Sequence, residues 1–312
     1  MSSKRRDADG LRRGVDRPEG RTPRQVVKLT VAYHGHGFFG SQRQDGKRTV
    51  QGELEQAIAE VVGFSVPAYL AGRTDQGVHA AGQVVSLADY RPDLQDETVL
   101  KAINSHLPDD LAVTEVARRP LGFHARYDAR WREYRYRIWT GVRQPLVADN
   151  VWQRSGLLDL NAMNAAAIQL MGTHDVASFA GGGEGVPGAE RQTKARGTVR
   201  SIVLCRVVTV PPWWGASRGQ GTLLELRIAA DGFLPRMVRT ITGTLIEIGR
   251  GARPVNWIDE LLSAKDRRLG PKTAPAYGLT LWRVGYDDDE PVDLSETPSG
   301  GPSESRQPRR RE

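Results

Sequence analysis

Apolar residues fall on every second position at Val27, Leu29 and Val31, and then on one helical face at Leu54, Ala57, Ile58, Val61 and Val62. This change of period from two to about 3.6 residues constrains the fold more than any other feature, because a strand pattern cannot sit as a helix or the reverse. Thr49 is placed to cap the first helix and Gly63 to end it. Short strands are expected at about Ala68 to Ala71 and Gln83 to Leu87. A second helix carries Val99, Leu100, Ile103 and Leu107 before Pro108 stops it, and Leu111 to Val116 reads as a strand.

The alternation resumes after residue 130 without a letter-by-letter repeat. Tyr134, Tyr136 and Ile138 share one strand face. Asp159 can cap a helix bearing Met163, Ala166, Ala167 and Leu170, with Gly172 at its end. Strands near Val199 to Val208 and Leu223 to Ala229 follow, then helices around Arg236 to Ile248 and Trp257 to Ala264, and a last strand from Leu279 to Tyr286. Some strands are joined by loops and others by helices, which predicts an α+β fold of two similar halves, at 26–118 and 119–287. The flanking stretches, 1–25 and 288–312, are rich in Arg, Asp, Pro, Gly and Ser and are expected to be disordered tails without chemistry. Glycine and proline make Gly181 to Gly188 and Pro211 to Gly221 read as surface insertions.

Composition removes several function classes. No apolar run approaches the roughly 20 residues that span a bilayer, and the arginine-rich start is unlike a secretory signal, so a cytoplasmic protein is expected. Cys205 is the sole cysteine of the chain, which leaves no intrachain disulfide, cysteine-based zinc site or paired redox motif. Residues Met1 to Arg24 hold eight basic and four acidic side chains and Asp288 to Glu312 hold four and seven, so the body between them keeps an excess of six positive charges. A basic body suits a polyanionic partner, whose counterions are released on binding.

The run from Ala71 to Ala80, AGRTDQGVHA, concentrates chemistry in one loop. Asp75 is its single carboxylate. Arg73 can meet an anion, while Gly72 and Gly77 allow bending and close approach. Taken alone, Asp75 is either a catalytic carboxylate or a turn former bonded to its own backbone. His79 lacks the spaced partners of a metal cluster and reads as a hydrogen-bonded structural histidine. The loop HGHGFFG is only weakly like a phosphate cradle, having neither a Walker lysine nor a dinucleotide glycine pattern. On helix pattern alone Arg239 is an exposed residue, and Tyr134 and Tyr136 are sheet or core tyrosines.

Five ordered blocks change that balance. GRTDQGVHA, VAYHGHGFFGSQRQ with RTVQGELEQAI, FHARYDARWREYRYRIW, FLPRMVRTITGTLIEIGRG and TAPAYGLTLWRVGY together resemble the TruA family of tRNA pseudouridine synthases over nearly the whole body, from Val27 to Tyr286. The resemblance implies mainly antiparallel sheets joined into one extended sheet flanked by helices, with an active-site cleft between the halves. It implies isomerisation of uridine to pseudouridine at positions 38, 39 and 40 of the tRNA anticodon arm, by a homodimer that needs no cofactor and no metal. It assigns Asp75 as catalytic nucleophile, Arg239 as its ionic partner and Tyr134 as the ring that stacks on the target base. Since extruding a base leaves a gap to fill, Arg73 beside the nucleophile is the candidate that holds the RNA open, a role compatible with a salt bridge or phosphate contact.

Arg126, Arg130, Arg132 and Arg135 are expected phosphate contacts near Tyr134. Two departures from the family pattern are expected to alter contacts at the rim and leave the catalytic signature untouched. Ser41 follows Gly40 where the family usually has tryptophan, and the two insertions have no counterpart. Two other classes make different demands on the chain. A non-catalytic RNA-binding protein would bind without product, and a glycosidase-like hydrolase would need a second well-placed acid, which does not stand out.

Overall fold

The computed structural model describes residues 23–181, 197–215, 221–287 and 289. The expected tails lie outside the described residues except at their inner edges, as does the first insertion beyond Gly181. Strands β1 (Gln25–Tyr33), β2 (Tyr69–Leu70), β3 (His79–Ala88) and β4 (Leu111–Pro120) precede β5 (Trp131–Trp139) and β6 (Trp152–Gln153). They are followed by β7 (Gly172–Asp175), β8 (Val199–Val210), β9 (Leu223–Ala230) and β10 (Leu279–Gly285). Among the described residues these form one ten-stranded sheet in the order β4-β1-β3-β10-β5-β9-β8-β7, with β2 on β3 and β6 on β5. The helices are α1 (Val50–Val62), α2 (Asp96–Asn104), α3 (Leu160–Gln169), α4 (Met237–Gly249) and α5 (Trp257–Ala264).

The α+β architecture with one extended, mostly antiparallel sheet is as the sequence implies. Its seam is a short parallel pairing in which His79 and Ala80 of β3 lie opposite Thr280 and Leu281 of β10. Across that seam the loop after β2 faces β5 and the start of α4, which come from far along the chain. Alternation does its usual work on β1, where Val27, Leu29, Val31 and Tyr33 are buried. Val27 and Leu87 meet Ile58 and Val62 of α1 and Val99 and Ile103 of α2 around a small apolar space. α4 is buried nearly all round, as expected of a helix at the centre of a core rather than on its surface.

Capping follows the sequence where side chains do it. Thr49 accepts from the Gly52 N–H, Gly63 closes α1 in the left-handed region, and Asp159 accepts from the Ala162 N–H. Three boundaries differ. α2 ends at Asn104 rather than running on to Leu107, because the Asn104 amide trades two hydrogen bonds with the Val113 backbone, both 2.8 Å. α3 ends at Gln169, with Leu170 as its C-cap, and Gly172 opens β7 instead of closing the helix. β3 starts at His79, because its first residues are ordered by the distant β10 and not by their own alternation. No helix among the described residues is long and apolar enough to cross a membrane.

Candidate active site

Residues 71–78 form the loop that carries Asp75. The Val78 N–H donates to the Asp75 carbonyl at 3.1 Å, closing a tight turn. Gly77 occupies its third position at φ +80°, a conformation that strains any residue with a side chain. Gln83 grips one end of the loop, donating to the Gly72 carbonyl at 2.8 Å and accepting from the Gly72 N–H at 3.3 Å. Thr74, beside the aspartate, shares a 2.9 Å hydrogen bond with the Tyr33 hydroxyl. Burial pushes the Tyr33 phenol up to about 12, so it remains neutral.

One weak likeness gives way here, and one expectation, at Ser41, changes. HGHGFFG is a buttress and not a phosphate cradle: a Cβ on Gly35 would lie 2.1 Å from the Val78 carbonyl oxygen, so the two loops touch backbone to backbone. Ser41 is not a rim residue. It is fully buried, its Oγ accepts from the Thr74 N–H at 2.8 Å, and its own N–H donates to the Thr74 carbonyl at 3.1 Å. Ser41 therefore fixes the peptide next to Asp75, a place where a short hydroxyl suffices. Ser41→Ala should strand the buried Thr74 N–H at a cost of about 1–3 kcal/mol, lowering the melting temperature and turnover together. Thermal unfolding and steady-state kinetics of the variant check this.

His79 is structural, as its sequence context implies. Its Nδ1 accepts from the Gly35 N–H at 3.0 Å and its Nε2 meets the Tyr277 carbonyl at 3.0 Å. Burial first, then the neighbouring His34, hold its pKa below the usual histidine value. A neutral ring with a proton on Nε2 satisfies both contacts.

Arg239 lies in the first turn of α4 and is not the exposed residue its helix pattern suggests. Its Nη1 donates to Asp75 Oδ2 at 3.0 Å and its Nε to the Ala274 carbonyl at 2.8 Å, while its own carbonyl accepts from the Ala274 N–H at 3.1 Å. The guanidinium side chain is 16% exposed and the carboxylate side chain 39%, so the cation is the fixed partner and the carboxylate the accessible one. Asp75 Oδ1 has no hydrogen bond to a described residue, so the Arg239 contact is made by Oδ2 alone.

Tyr134 projects from β5 toward this loop. It is buried, edge-on to Phe233 at 5.0 Å between centroids, and a Cβ on Gly72 would come within 3.9 Å of its hydroxyl. Burial raises its pKa far above the phenol norm; Tyr33 and Asp75 add to this and Arg132 opposes it. The ring is thus a neutral phenol beside the carboxylate. Tyr136 is structural: it is fully buried and donates to the Pro275 carbonyl at 2.8 Å.

The four flanking arginines separate. Arg132 donates to the carbonyls of Ala71, Arg126, Ala129 and Asp231, which makes it an internal staple rather than a phosphate contact. Arg135 lies on the opposite sheet face from Tyr134, bonded to Glu133 and Glu225 and stacked 3.9 Å from the Trp282 ring. Alternation along β5 dictates this. Arg130 is exposed and paired with Asp287. Arg126 and Arg132 both act on the site's electrostatics: Arg132 opposes the upward shift of Tyr134, and partial desolvation and then repulsion by Arg126 lower the pKa of Arg73. Two guanidiniums held close in this way favour an anion between or above them.

A family profile described as tRNA pseudouridine synthase matches residues 29–128 and 166–287. The chain is 40% identical over 263 residues to tRNA pseudouridine synthase A of Anoxybacillus flavithermus, covering 84% of this chain and 99% of that protein. The chain belongs to the tRNA pseudouridine synthase family. This synthase is also 41% identical over 268 residues to the like-named protein of Geobacillus kaustophilus, covering 85% and 96% of the two chains. With that of Chloroflexus aurantiacus it shares 42% identity over 264 residues, 84% of this chain and 89% of the other.

One part of the synthase's site is visible in its sequence only as the start of the TAPAYGLTLWRVGY block, with no role attached to its residues. Residues 274–277 form a strap behind the site: Ala274 fixes Arg239, the Pro275 carbonyl holds Tyr136, Ala276 abuts Gly77, and the Tyr277 carbonyl meets His79. It works mainly through carbonyls and a methyl group, so no chemically distinctive side chain announces it. The described part of the second insertion likewise lies against the sheet, with Trp214 edge-on to the buried Trp139 at 5.1 Å.

Proposed function

We propose that this synthase converts uridine to pseudouridine at positions 38, 39 and 40 in the anticodon arm of tRNA, with Asp75 as the catalytic nucleophile. The contact between Asp75 Oδ2 and Arg239 Nη1 at 3.0 Å, beside the Tyr134 ring, is the observation that supports it most. The reaction breaks the bond from uracil N1 to ribose C1′, turns the base, joins C5 to C1′, releases the C5 proton and leaves N1 protonated, so nothing is consumed.

An ionised carboxylate with one oxygen anchored and the other open suits attack on C1′ or on uracil C6. Arg239 fixes the direction of that carboxylate. Tyr134 stacks on the extruded base, and its hydroxyl, which lies over Gly72 of the same loop, assists loss of the C5 proton. Extrusion costs a few kcal/mol, and Arg73, exposed at the mouth of the loop, fills the gap and meets phosphate. The enzyme acts in the cytoplasm as a homodimer, as the twofold symmetry usual for soluble oligomers suggests.

Pseudouridine mapping on tRNA transcripts tests the assignment. Transcripts carrying uridine singly at 38, 39 or 40 should each be modified there, and a transcript lacking all three should be untouched. Modification confined to another stem or loop would overturn it.

A further inference from the structure

Outside the catalytic loop, three aromatic rings form a stack on the surface. Tyr69 of β2 lies 5.2 Å from His124, and His124 lies 4.3 Å from Tyr127, with both pairs tilted at about 40°. Tyr69 is 51% exposed and Tyr127 is 75% exposed, which is unusual for large rings with no covering element. Nothing in the main core requires Tyr127 to be there.

The stack is rigidly mounted. The His124 Nδ1 accepts from the Arg126 N–H at 3.1 Å, which fixes the ring plane, and the buried Ala125 is held by Ser86 Oγ at 3.0 Å and the Tyr286 hydroxyl at 2.7 Å. Arg132 Nη2 then donates to the Arg126 carbonyl at 2.7 Å and to the Ala71 carbonyl at 3.1 Å. One guanidinium thereby ties the mount of the stack to the first residue of the Asp75 loop, and Tyr69 enters that same loop two residues earlier.

The charge beside the rings is positive. The Arg126 guanidinium lies over the Tyr127 ring at 5.9 Å and repels Arg73, while the nearby Asp128 directs its carboxylate to the His124 N–H at 2.8 Å. Exposed rings interleaved with arginine beside a nucleophile are what a single-stranded nucleic acid needs, since every base has a face to stack and a phosphate attached.

We propose that the Tyr69–His124–Tyr127 stack is a second base-binding platform, on which an unpaired base of the tRNA other than the target uridine stacks against Tyr127 while its phosphate meets Arg126. This rests on reading the Asp75 loop as the place where tRNA is engaged. The platform contributes to holding the substrate and not to the chemistry.

The test compares Tyr127→Ala and Tyr127→Phe in the full-length protein with unmodified tRNA. Stacking on one ring is worth about 1–3 kcal/mol, so Tyr127→Ala should raise Kd and KM by about 5- to 100-fold and leave kcat within about twofold. The slope of log Kd against log salt should stay unchanged, as no cation is removed. Tyr127→Phe, which keeps the ring, should behave as wild type, and both variants should melt with it.

Wild-type Kd for the Ala variant would overturn the platform. So would equal loss in the Phe variant, since a hydroxyl contact and not stacking would then be responsible. A drop in solution mass with Tyr127→Ala would assign the rings to contact with a second copy of the chain and overturn it too. If the wild type bound tRNA but left positions 38 to 40 unmodified, the proposed site of action would fall while the binding comparison still decided the platform.

Discussion

Arg239→Met should lower turnover about 10²- to 10³-fold with little change in tRNA affinity, the range seen when one fixed charge-assisted donor is taken from a catalytic centre. Methionine fills much the same space in the core but cannot donate to Asp75 Oδ2 or to the Ala274 carbonyl. The carboxylate then loses both its counter-charge and its bearing, and a displacement of about 1 Å can alone cost roughly 10²-fold.

Arg239→Lys separates the two losses. Lysine restores a positive charge, but its single ammonium on a flexible stem cannot reproduce a guanidinium that holds the strap with Nε and the carboxylate with Nη1. It should recover only part of the lost turnover. Single-turnover kinetics at saturating enzyme, with tRNA binding measured in parallel, check both variants. A methionine variant as fast as wild type would mean that Asp75 needs no partner.

The fold was legible where local pattern decides it. β1, α1 and the C-terminal helices were readable because each buries a face of its own, and Thr49, Gly63 and Asp159 cap with side chains that sequence displays. What was hidden depends on distant backbone. β3 extends to His79 because β10 pairs with it from some 200 residues away, and α2 stops early because Asn104 engages β4.

The site divides in the same way. Asp75 and Arg73 stand out in their loop by chemistry, while a role for Tyr134 and the pairing of Asp75 with Arg239 were implied by resemblance and not by strand or helix pattern. Ser41 was misplaced at the rim because a residue's letter does not reveal that its hydroxyl is fully buried against Thr74. Arg132 and Arg135 illustrate the opposite error. An arginine near an RNA-modifying site invites a phosphate, yet one is consumed by carbonyls and the other lies across the sheet. The Ala274–Tyr277 strap had the least signal of all, since carbonyl oxygens are common to every residue.

Asp75→Asn should reduce turnover by about 10⁴-fold or more, the scale on which loss of a covalent nucleophile falls. Asparagine is nearly isosteric, and its amide oxygen can still accept from Arg239 Nη1, so the turn closed by the Val78 N–H should persist. Melting temperature and tRNA Kd are therefore expected to stay close to wild type, the latter within about threefold. The carboxylate's charge and nucleophilicity are what disappear. A variant that bound poorly or unfolded would point to a structural role for Asp75 in place of a chemical one.

Release of tritium from C5 of uracil in labelled tRNA measures this step without reference to binding. With each enzyme in excess over tRNA, the wild type should release one tritium for every uridine converted at positions 38 to 40, and Asp75→Asn should release none above background over the same period. Equal release from the two proteins would contradict the assignment of Asp75 as the catalytic carboxylate.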